Sequence, residues 1–599
     1  MEHGPDTGLT RRGLMAGAAA LSMAGWLLNG TLGPESADAA VPLPPALPAG
    51  VTPYRAEYRN WSGEIHADQL WTCAPDSPEQ VVLLADWARA NGWRLRAQGH
   101  RHTWAPLTVP AGTDADARVL LLDTTRHLTA LTLVDGSTVR ARTGADMEAL
   151  LAFLADRGLG LAACPAPGEL TVGGVLAIGG HGTAVEPAGA AALPGHGYGT
   201  VSNQVVRFTA VVLDPALDRY VLRTFERAEA DAAAFLVHLG RAFLTEVELR
   251  VGQDQRLRCV SRLDIPAAEL LAPAGSGPRT LAGLLAGSGR VEVIWFAFTE
   301  QPWIKVWSAA PTRPAAAREV REPYNYPFSD RIPEPVARLA GEIAAGAWGS
   351  APLLGQLQYL VTKIGLTGDL TDLLLGGGLL RDLLSGDALV HLLADGLRSD
   401  LWGASRTLLQ YVRPSTLRVT ANGYAVLARR ADVQWVAAEF AAFYRALLAQ
   451  YRDRGEFPVN GGVEIRVTGL DRADGPGVPG ARPPLLSALR PRADRPEWDT
   501  AVWLDVLSLP GTPGLPRFCR ELEQFLLRTF DGTRAGLRVE WSKGWAYTEE
   551  GAWADPDLLE RVVPASLGEG GGWAEAVAVL DRHDPDRVFS NAFLDRLLR

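Results

Sequence analysis

The sequence predicts an α+β protein built from more than one large domain. Three observations carry that reading. The 599 residues exceed what a single hydrophobic core organises. Residues 60–252 alternate short apolar runs with helical patterns. Residues 253–555 set several apolar strands around one long leucine-rich helical stretch. With 47% hydrophobic and 21% charged residues the composition is globular, with ample material for buried cores. No internal repeat is found.

Residues 1–40 read as an export signal. Arg11-Arg12 precedes Leu14–Leu28, an uncharged apolar run too short for the roughly 20 residues that span a bilayer. Ala37-Asp38-Ala39 offers small residues for cleavage, and twin-arginine signals export proteins already folded. A retained membrane anchor is the rival reading. Residues 41–59, opening with the proline-rich Val41–Gly50, form a linker.

The elements of 60–252 follow in order. Glu79–Asn91 has Val81, Val82, Leu84, Trp87 and Ala88 on one helical face. Trp93–Ala97, Arg118–Asp123 and Ala130–Leu133 read as strands. Asp146–Asp156 is a helix with Leu150, Leu151 and Leu154 inward, and Asn203–Leu213 is a Val- and Phe-rich strand. In 253–555, strands are expected at Val291–Phe298, Leu417–Leu427, Gly462–Thr468, Thr500–Ser508 and Gly536–Lys543, with helices from Glu334 to Trp402. Residues 556–599 end in an Asp584-Pro585-Asp586 turn and a short amphipathic helix.

Several functions are disfavoured. Asp and Glu outnumber Lys and Arg, 68 to 58, for a net charge of -10, and no basic run offers phosphates a landing place, so no nucleic-acid partner is expected. Cys73, Cys164, Cys259 and Cys519 form no CxxC pair, so no metal site is expected; disulfides and buried free thiols both remain open. There is no G-x-S-x-G for a hydrolase elbow. Gly475–Gly480 spells GxGxxG, but it carries two prolines, follows no strand and opens no helix, and is read as a surface loop.

Two segments carry chemistry. Arg96-Ala97-Gln98-Gly99-His100-Arg101-His102-Thr103-Trp104 leaves a strand through a glycine that lets backbone approach a phosphate, where successive N–H groups can form an anion nest. A loop with two hydrogen-bonded histidines is the bland alternative; a metal on His100 and His102 lacks further ligands. Pro167–Thr183 repeats glycine among small apolar residues, a composition suited to backbone packed against something flat or charged. A glycine-rich core loop would look similar.

Taken together, these segments resemble the flavoproteins of the vanillyl-alcohol-oxidase type. The order is a strand, R-x-x-G-x-x-H, then P-G-x-x-T-V-G-G and G-G-H-G, then Tyr198–Asn203, Arg241–Val247 and the closing Asp584–Leu594. The resemblance implies a two-part FAD-binding domain (60–252 and 556–599) with an inserted α+β substrate domain (253–555). Within that group the chain is most similar to the covalent-FAD class of bacterial cholesterol oxidases, on Gly99–Leu107, Gly462–Asp471 and Trp541–Tyr547. The likeness implies FAD bonded through His102, with Gln98, Gly99, His100, Arg101, Thr103, Gly168, Glu169, Leu170, Thr171, Gly174, Gly179, His181, Gly182 and Val247 around the cofactor. Some relatives add a cysteine link where this chain has Glu169, so a single covalent link is expected.

Oxidation of an alcohol requires hydride removal from carbon and a group to receive the hydroxyl proton or steady the oxyanion. Glu464 and Arg466, two apart in Val463–Val467, share a strand face, while Val463, Ile465 and Val467 take the other. A solvent-facing ion pair is the plain alternative; the resemblance favours catalysis. Lys543, at an expected strand end, and Glu292 and Asp505, charges inside apolar strands, complete the candidates. The resemblance further implies conversion of a sterol 3β-hydroxyl to a ketone with O2 reduced to hydrogen peroxide, then isomerisation to the 4-en-3-one. Glu292 is the first choice of proton shuttle for that step and Glu464 the second. Helices in Leu353–Leu401 either touch a membrane surface transiently or pack on the core. A polyol or sugar oxidase of the same flavin family and an inactive flavin- or sterol-binding protein are the competing functions. Oligomeric state is left open.

Overall fold

The computed structural model describes residues 43–187, 193–323, 326, 334–375, 398–414 and 416–599. The expected export signal and residues 376–397 of the leucine-rich segment lie outside these. The described chain forms an α+β structure with three main sheets.

The first sheet has four strands: β1 (Tyr54–Arg59), β2 (His66–Cys73), β3 (Arg94–Gln98) and β4 (Val119–Asp123), in the order β1-β2-β4-β3. β2 and β3 both run parallel to β4. A parallel crossover requires a helix, supplied by α1 (Pro78–Asn91). Ser77 accepts the Gln80 N–H at its start and Gly92 ends it at φ 66°. The buried face carries Val81, Leu84, Trp87 and Ala88 as the sequence pattern predicts, but Val82 is only half-buried.

The second sheet is antiparallel: β5 (Leu131–Asp135), β6 (Thr138–Arg142), β8 (Val205–Asp214), β9 (Arg219–Glu226) and β10 (Phe243–Arg250), ordered β5-β6-β10-β8-β9. Helices α2 (Met147–Ala155) and α3 (Val172–Ala177) belong to this region. A two-stranded ladder of β7 (Leu159–Gly160) with β11 (Gly252–Gln253) leads out of it. The strand expected from Asn203 begins later, at Val205, because Thr200 caps a 3-10 turn over Val201–Gln204 and takes the Asn203 N–H. The Asn203 side chain is spent on Arg472 and Arg227 instead.

The third sheet has nine strands: β12 (Arg256–Arg262), β13 (Arg290–Phe296), β14 (Trp303–Ala309), β15 (Arg318–Val320), β16 (Asp400–Ala404), β17 (Thr420–Ala428), β18 (Gly462–Gly469), β19 (Thr500–Ser508) and β20 (Gly536–Val539). Their order is β15-β16-β12-β14-β13-β18-β19-β17-β20. Helices α4 (Val433–Asp453) and α5 (Leu515–Thr529) cover one side, their apolar stripes buried. Two expectations change here. Trp402 lies in β16 rather than at a helix end, paired with Arg258. Lys543 lies beyond β20, in a turn closed by its own N–H to Glu540 O at 3.1 Å.

The chain ends by returning to the first sheet. Leu95 N–H donates to Val588 O, and Arg96 donates to Phe589 O. Asp584 accepts Tyr220 Oη at 2.6 Å, Arg241 at 2.7 Å and the N–H groups of Val588 and Phe589. All four cysteines are buried free thiols. Gly475–Gly480 is a turn-rich segment with three glycines partly or fully exposed. No helix among the described residues is long and apolar enough to cross a membrane.

Candidate active site

A long cavity runs from the loop after β3, past the glycine-rich segment, to the face of the nine-stranded sheet. Backbone builds its first half. Residues Gln98–Thr103, Leu170, Thr171, Gly174, Gly179 and His181 line it, joined by His238–Gly240. The two sequence motifs touch: a Cβ on Gly99 would lie 2.5 Å from Thr171 Oγ1, so only glycine fits. Thr171 in turn caps α3 by accepting the Gly174 N–H. Arg101 takes φ 60°, which turns the chain so that His102 faces inward.

The His102 ring stacks on Trp61 with centroids 3.8 Å apart and meets Trp104 edge-on at 6.0 Å. Burial pushes the imidazole down to about 3, and the charges of Arg418, His100 and Lys543 add to the effect. His102 is therefore neutral throughout the physiological range, with a nitrogen lone pair available for bonding. Its loop is pinned to the sheet side of the cavity, because Trp104 and Ala105 N–H both donate to Ser542 O, at 2.8 and 3.0 Å.

Side chains build the second half. The register across the sheet places Lys305 opposite Glu292, Glu292 opposite Arg466, and Glu464 opposite Asp505. Directly paired residues share a face, so strands distant in sequence project one row of charges. Signs alternate along it. Lys305 Nζ is 3.2 Å from Glu292; Arg466 and Lys543 both clasp Asp505; Lys543 is 3.3 Å from Glu540, which lies 3.6 Å from His181. Arg466 also reaches Glu464 at 4.0 Å and Glu540 at 3.9 Å. A Cβ on Gly423 would sit 2.6 Å from Lys543 Cδ, so this glycine makes room for the cluster.

Counting the row gives four carboxylates (Glu292, Glu464, Asp505, Glu540) against three cations (Lys305, Arg466, Lys543). One carboxylate is in excess, so the row gains by taking up one proton during the reaction. Glu464 is the best placed, since its nearest cation contact is the longest. Burial pushes Glu464 above the usual range, with Arg466 opposing and Glu292 reinforcing. Burial also favours protonated Asp505, but its two clasping cations pull against that. For Glu540, burial is outweighed by Lys543, the His181 contact and Arg466, which hold it below the usual range. Burial likewise works against charge on Arg466, but Asp505, Glu540 and Glu464 overcome it, so the guanidinium stays charged.

The cavity thus gathers Gln98, Gly99, His100, Arg101, His102, Thr103, Leu170, Thr171, Gly174, Gly179, His181, Glu292, Glu464, Arg466 and Lys543 on its walls. Asp505 lies just behind them, fully buried. Four expected cofactor residues lie elsewhere. Gly168 and Glu169 line a separate, acidic hollow on the far side of the His100 loop. Gly182 is filled against the Cys164 backbone, and Val247 is buried in β10 between Ala141 and Phe208. Glu540, His238, Trp61, Tyr411 and Lys305 were not foreseen. Lys305 carried the same signal as Glu292, a lone charge among Trp303, Ile304, Val306 and Trp307.

The sequence also matches known families. The description "FAD binding domain" matches residues 71–214, and "Cholesterol oxidase, substrate-binding" matches residues 256–385 and 384–599. This chain belongs to the cholesterol oxidase family. Among solved structures, a solvent-stable cholesterol oxidase is 45% identical over 93% of this chain and 100% of its own, with a TM-score of 0.85. The cholesterol oxidase of Brevibacterium sterolicum is 41% identical over 94% and 100%, with a TM-score of 0.86. A histidine-to-alanine variant from the same organism is 40% identical over the same shares, with a TM-score of 0.85. No match was found among curated protein sequences. Membership of the family accounts for both halves of the cavity: a backbone cradle under one family description and a charged sheet face under the other.

The residues present suit FAD. A ligand with a pyrophosphate needs close backbone approach, which the glycine cradle allows, and a flat ring needs a lined slot, which Trp61, His102 and the sheet face bound.

Proposed function

We propose that this protein oxidises the 3β-hydroxyl of cholesterol or a similar sterol to a ketone, using FAD held covalently through His102 and molecular oxygen that leaves as hydrogen peroxide, and that it then moves the 5,6 double bond to the 4,5 position. FAD-dependent oxidation of a sterol hydroxyl follows from family membership. The observation that carries the finer reading is that the charge row and His102 open into one cavity.

FAD bound there supplies the two-electron acceptor. Glu464, the carboxyl with the loosest cation contact, receives the hydroxyl proton. Arg466 and Lys543 steady the negative charge that develops on the sterol oxygen as that proton leaves. Glu292 takes a proton from C4 and returns it at C6. Neutral His102 supplies the nitrogen for the covalent bond, and Trp61 and Trp104 fix its ring plane. Export through the twin-arginine segment accords with a cofactor inserted into a folded chain.

The test is the visible spectrum of acid-precipitated protein, wild type beside His102→Ala, followed by peroxide assays on cholesterol and on polyols. Flavin colour should stay with wild-type precipitate and leave the variant, and peroxide should appear with cholesterol. Colour lost from both would remove the covalent link. Peroxide from polyols alone would replace the sterol by a sugar-like substrate.

A further inference from the structure

We infer that Lys305 and Tyr411 are positioning residues for Glu292: they hold its carboxylate at the cavity wall and supply the charge and hydrogen-bond partners with which it works. This rests on the reading of Glu292 as the group that carries the C4 proton.

Lys305 is fully buried on β14, directly across from Glu292 on β13. Its ammonium lies 3.2 Å from Glu292 Oε2 and 2.9 Å from the centre of the Tyr411 ring. The rings of Trp307, Trp303 and Tyr326 stand 5.0, 5.1 and 5.2 Å away. Tyr411 Oη donates to Glu292 and is 2.6 Å from each carboxylate oxygen. Glu292 and Tyr411 line the cavity; Lys305 does not, so it acts behind the carboxylate and never on the sterol.

An ammonium enclosed by aromatic faces is costly, because ring faces replace only part of its hydration. Leucine or methionine would fill the same space more cheaply. What the charge adds is its effect on Glu292. The charged and titratable groups that share this nest are Glu292, Arg466, Glu464, Cys259, Tyr326 and Tyr411. Burial drives the Lys305 ammonium below its ordinary range, opposed first by Glu292. Burial and the adjacent Glu292 push the Tyr411 phenol well up, so it remains a donor. Lys305, Tyr411 and Glu292 therefore behave as one electrostatic unit.

The isomerisation balances without electron transfer. The C4–H bond breaks toward the carboxylate, the double bond moves from C5–C6 to C4–C5, and the same proton forms the C6–H bond. While the carboxyl holds that proton, Lys305 has lost its counter-charge. A cation so placed favours the proton's departure to C6.

The experiment supplies the 5-en-3-one directly to the holoenzyme and follows the ultraviolet absorbance of the conjugated ketone across pH. Lys305→Met should lower kcat on the order of tenfold or more with little change in KM. The acid limb of the profile should move to higher pH, since the carboxylate has lost a neighbouring cation. Tyr411→Phe keeps a ring against Lys305 and should act in the same direction by less, which tests the inference even if Lys305→Met does not fold. Adding Lys305→Met to Glu292→Gln should cost nothing further. If Glu292→Gln abolishes isomerisation while Lys305→Met and Tyr411→Phe keep wild-type kcat and acid limb, the positioning role is overturned and the Glu292 reading stands. Additive losses in the double variant overturn it too. If Glu292→Gln isomerises at the wild-type rate, the Glu292 reading falls and this inference falls with it.

Discussion

The two halves of the cavity are built on opposite principles. The cradle of Gln98–Thr103 and Leu170–Gly180 presents backbone, and its side chains are mostly small. The sheet face presents side chains, and its backbone is fully occupied in ladders. A backbone cradle reads shape and phosphate charge, so it tolerates few changes and, His102 apart, needs no titratable group. A charged face reads protons, so each member depends on its neighbours' charge state. Binding and chemistry are thus separable in this molecule.

Substitutions on either side sharpen that separation. The largest expected effect is at Arg466→Met, which removes the cation shared by Asp505, Glu464 and Glu540. Peroxide-linked kcat/KM should fall by about 10²–10⁴-fold, while the flavin content of the purified protein should stay that of wild type. Loss of flavin along with rate would break the comparison. Next comes a pH effect at Glu523, on α5. Burial pushes this carboxyl up to about 7, although it accepts N–H groups of Ala546 and Tyr547 and the Tyr424 hydroxyl. Its folded affinity for the proton exceeds the unfolded one. Its contribution to stability is therefore complete below the unfolded value of about 4.5 and is lost as pH rises through about 7. The loss amounts to ~3 kcal/mol at most, read from denaturant midpoints across that window beside Glu523→Gln, whose curve should be flatter. Because Glu523 anchors the turn that follows Lys543, the effect belongs to the charged half. The smallest is Gly99→Ala, whose methyl meets Thr171. About 1–3 kcal/mol of stability should go, together with flavin retention, whereas apparent pKa values in the pH–rate profile of the remaining holoenzyme should not move.

The same contrast explains what could be read from the amino-acid order. The cradle was legible because a backbone surface leaves glycines at fixed short spacings. Glu292, Asp505 and the Glu464–Arg466 pair were legible as charges inside apolar strands, since burial makes such residues conspicuous. Their partnership was not, because it depends on the register of β14, β13, β18 and β19, strands spread over Arg290–Ser508. Glu540 hid at the boundary of β20, where the expected strand to Lys543 breaks into a turn. Gly168 and Glu169 fitted the motif's spacing yet face another hollow, because the chain turns between Pro167 and Leu170. Alternating patterns fix which face a side chain takes; they carry nothing about which strand lies beside it.

Asp584 has one more consequence. It collects Tyr220 and Arg241, which precede it by 364 and 343 residues. Both partners are buried, and the guanidinium is only 1% exposed. During synthesis the cradle's own sheet is made first, yet these two groups wait for an acid that follows several hundred residues later. A chain cut short before Asp581, the second carboxylate on Arg241, leaves a desolvated cation and a phenol without their acceptors, a penalty of about 3–5 kcal/mol. The turn at Asp584 therefore ties early chain to late chain: the cofactor side of the molecule closes only once synthesis has passed the whole nine-stranded sheet.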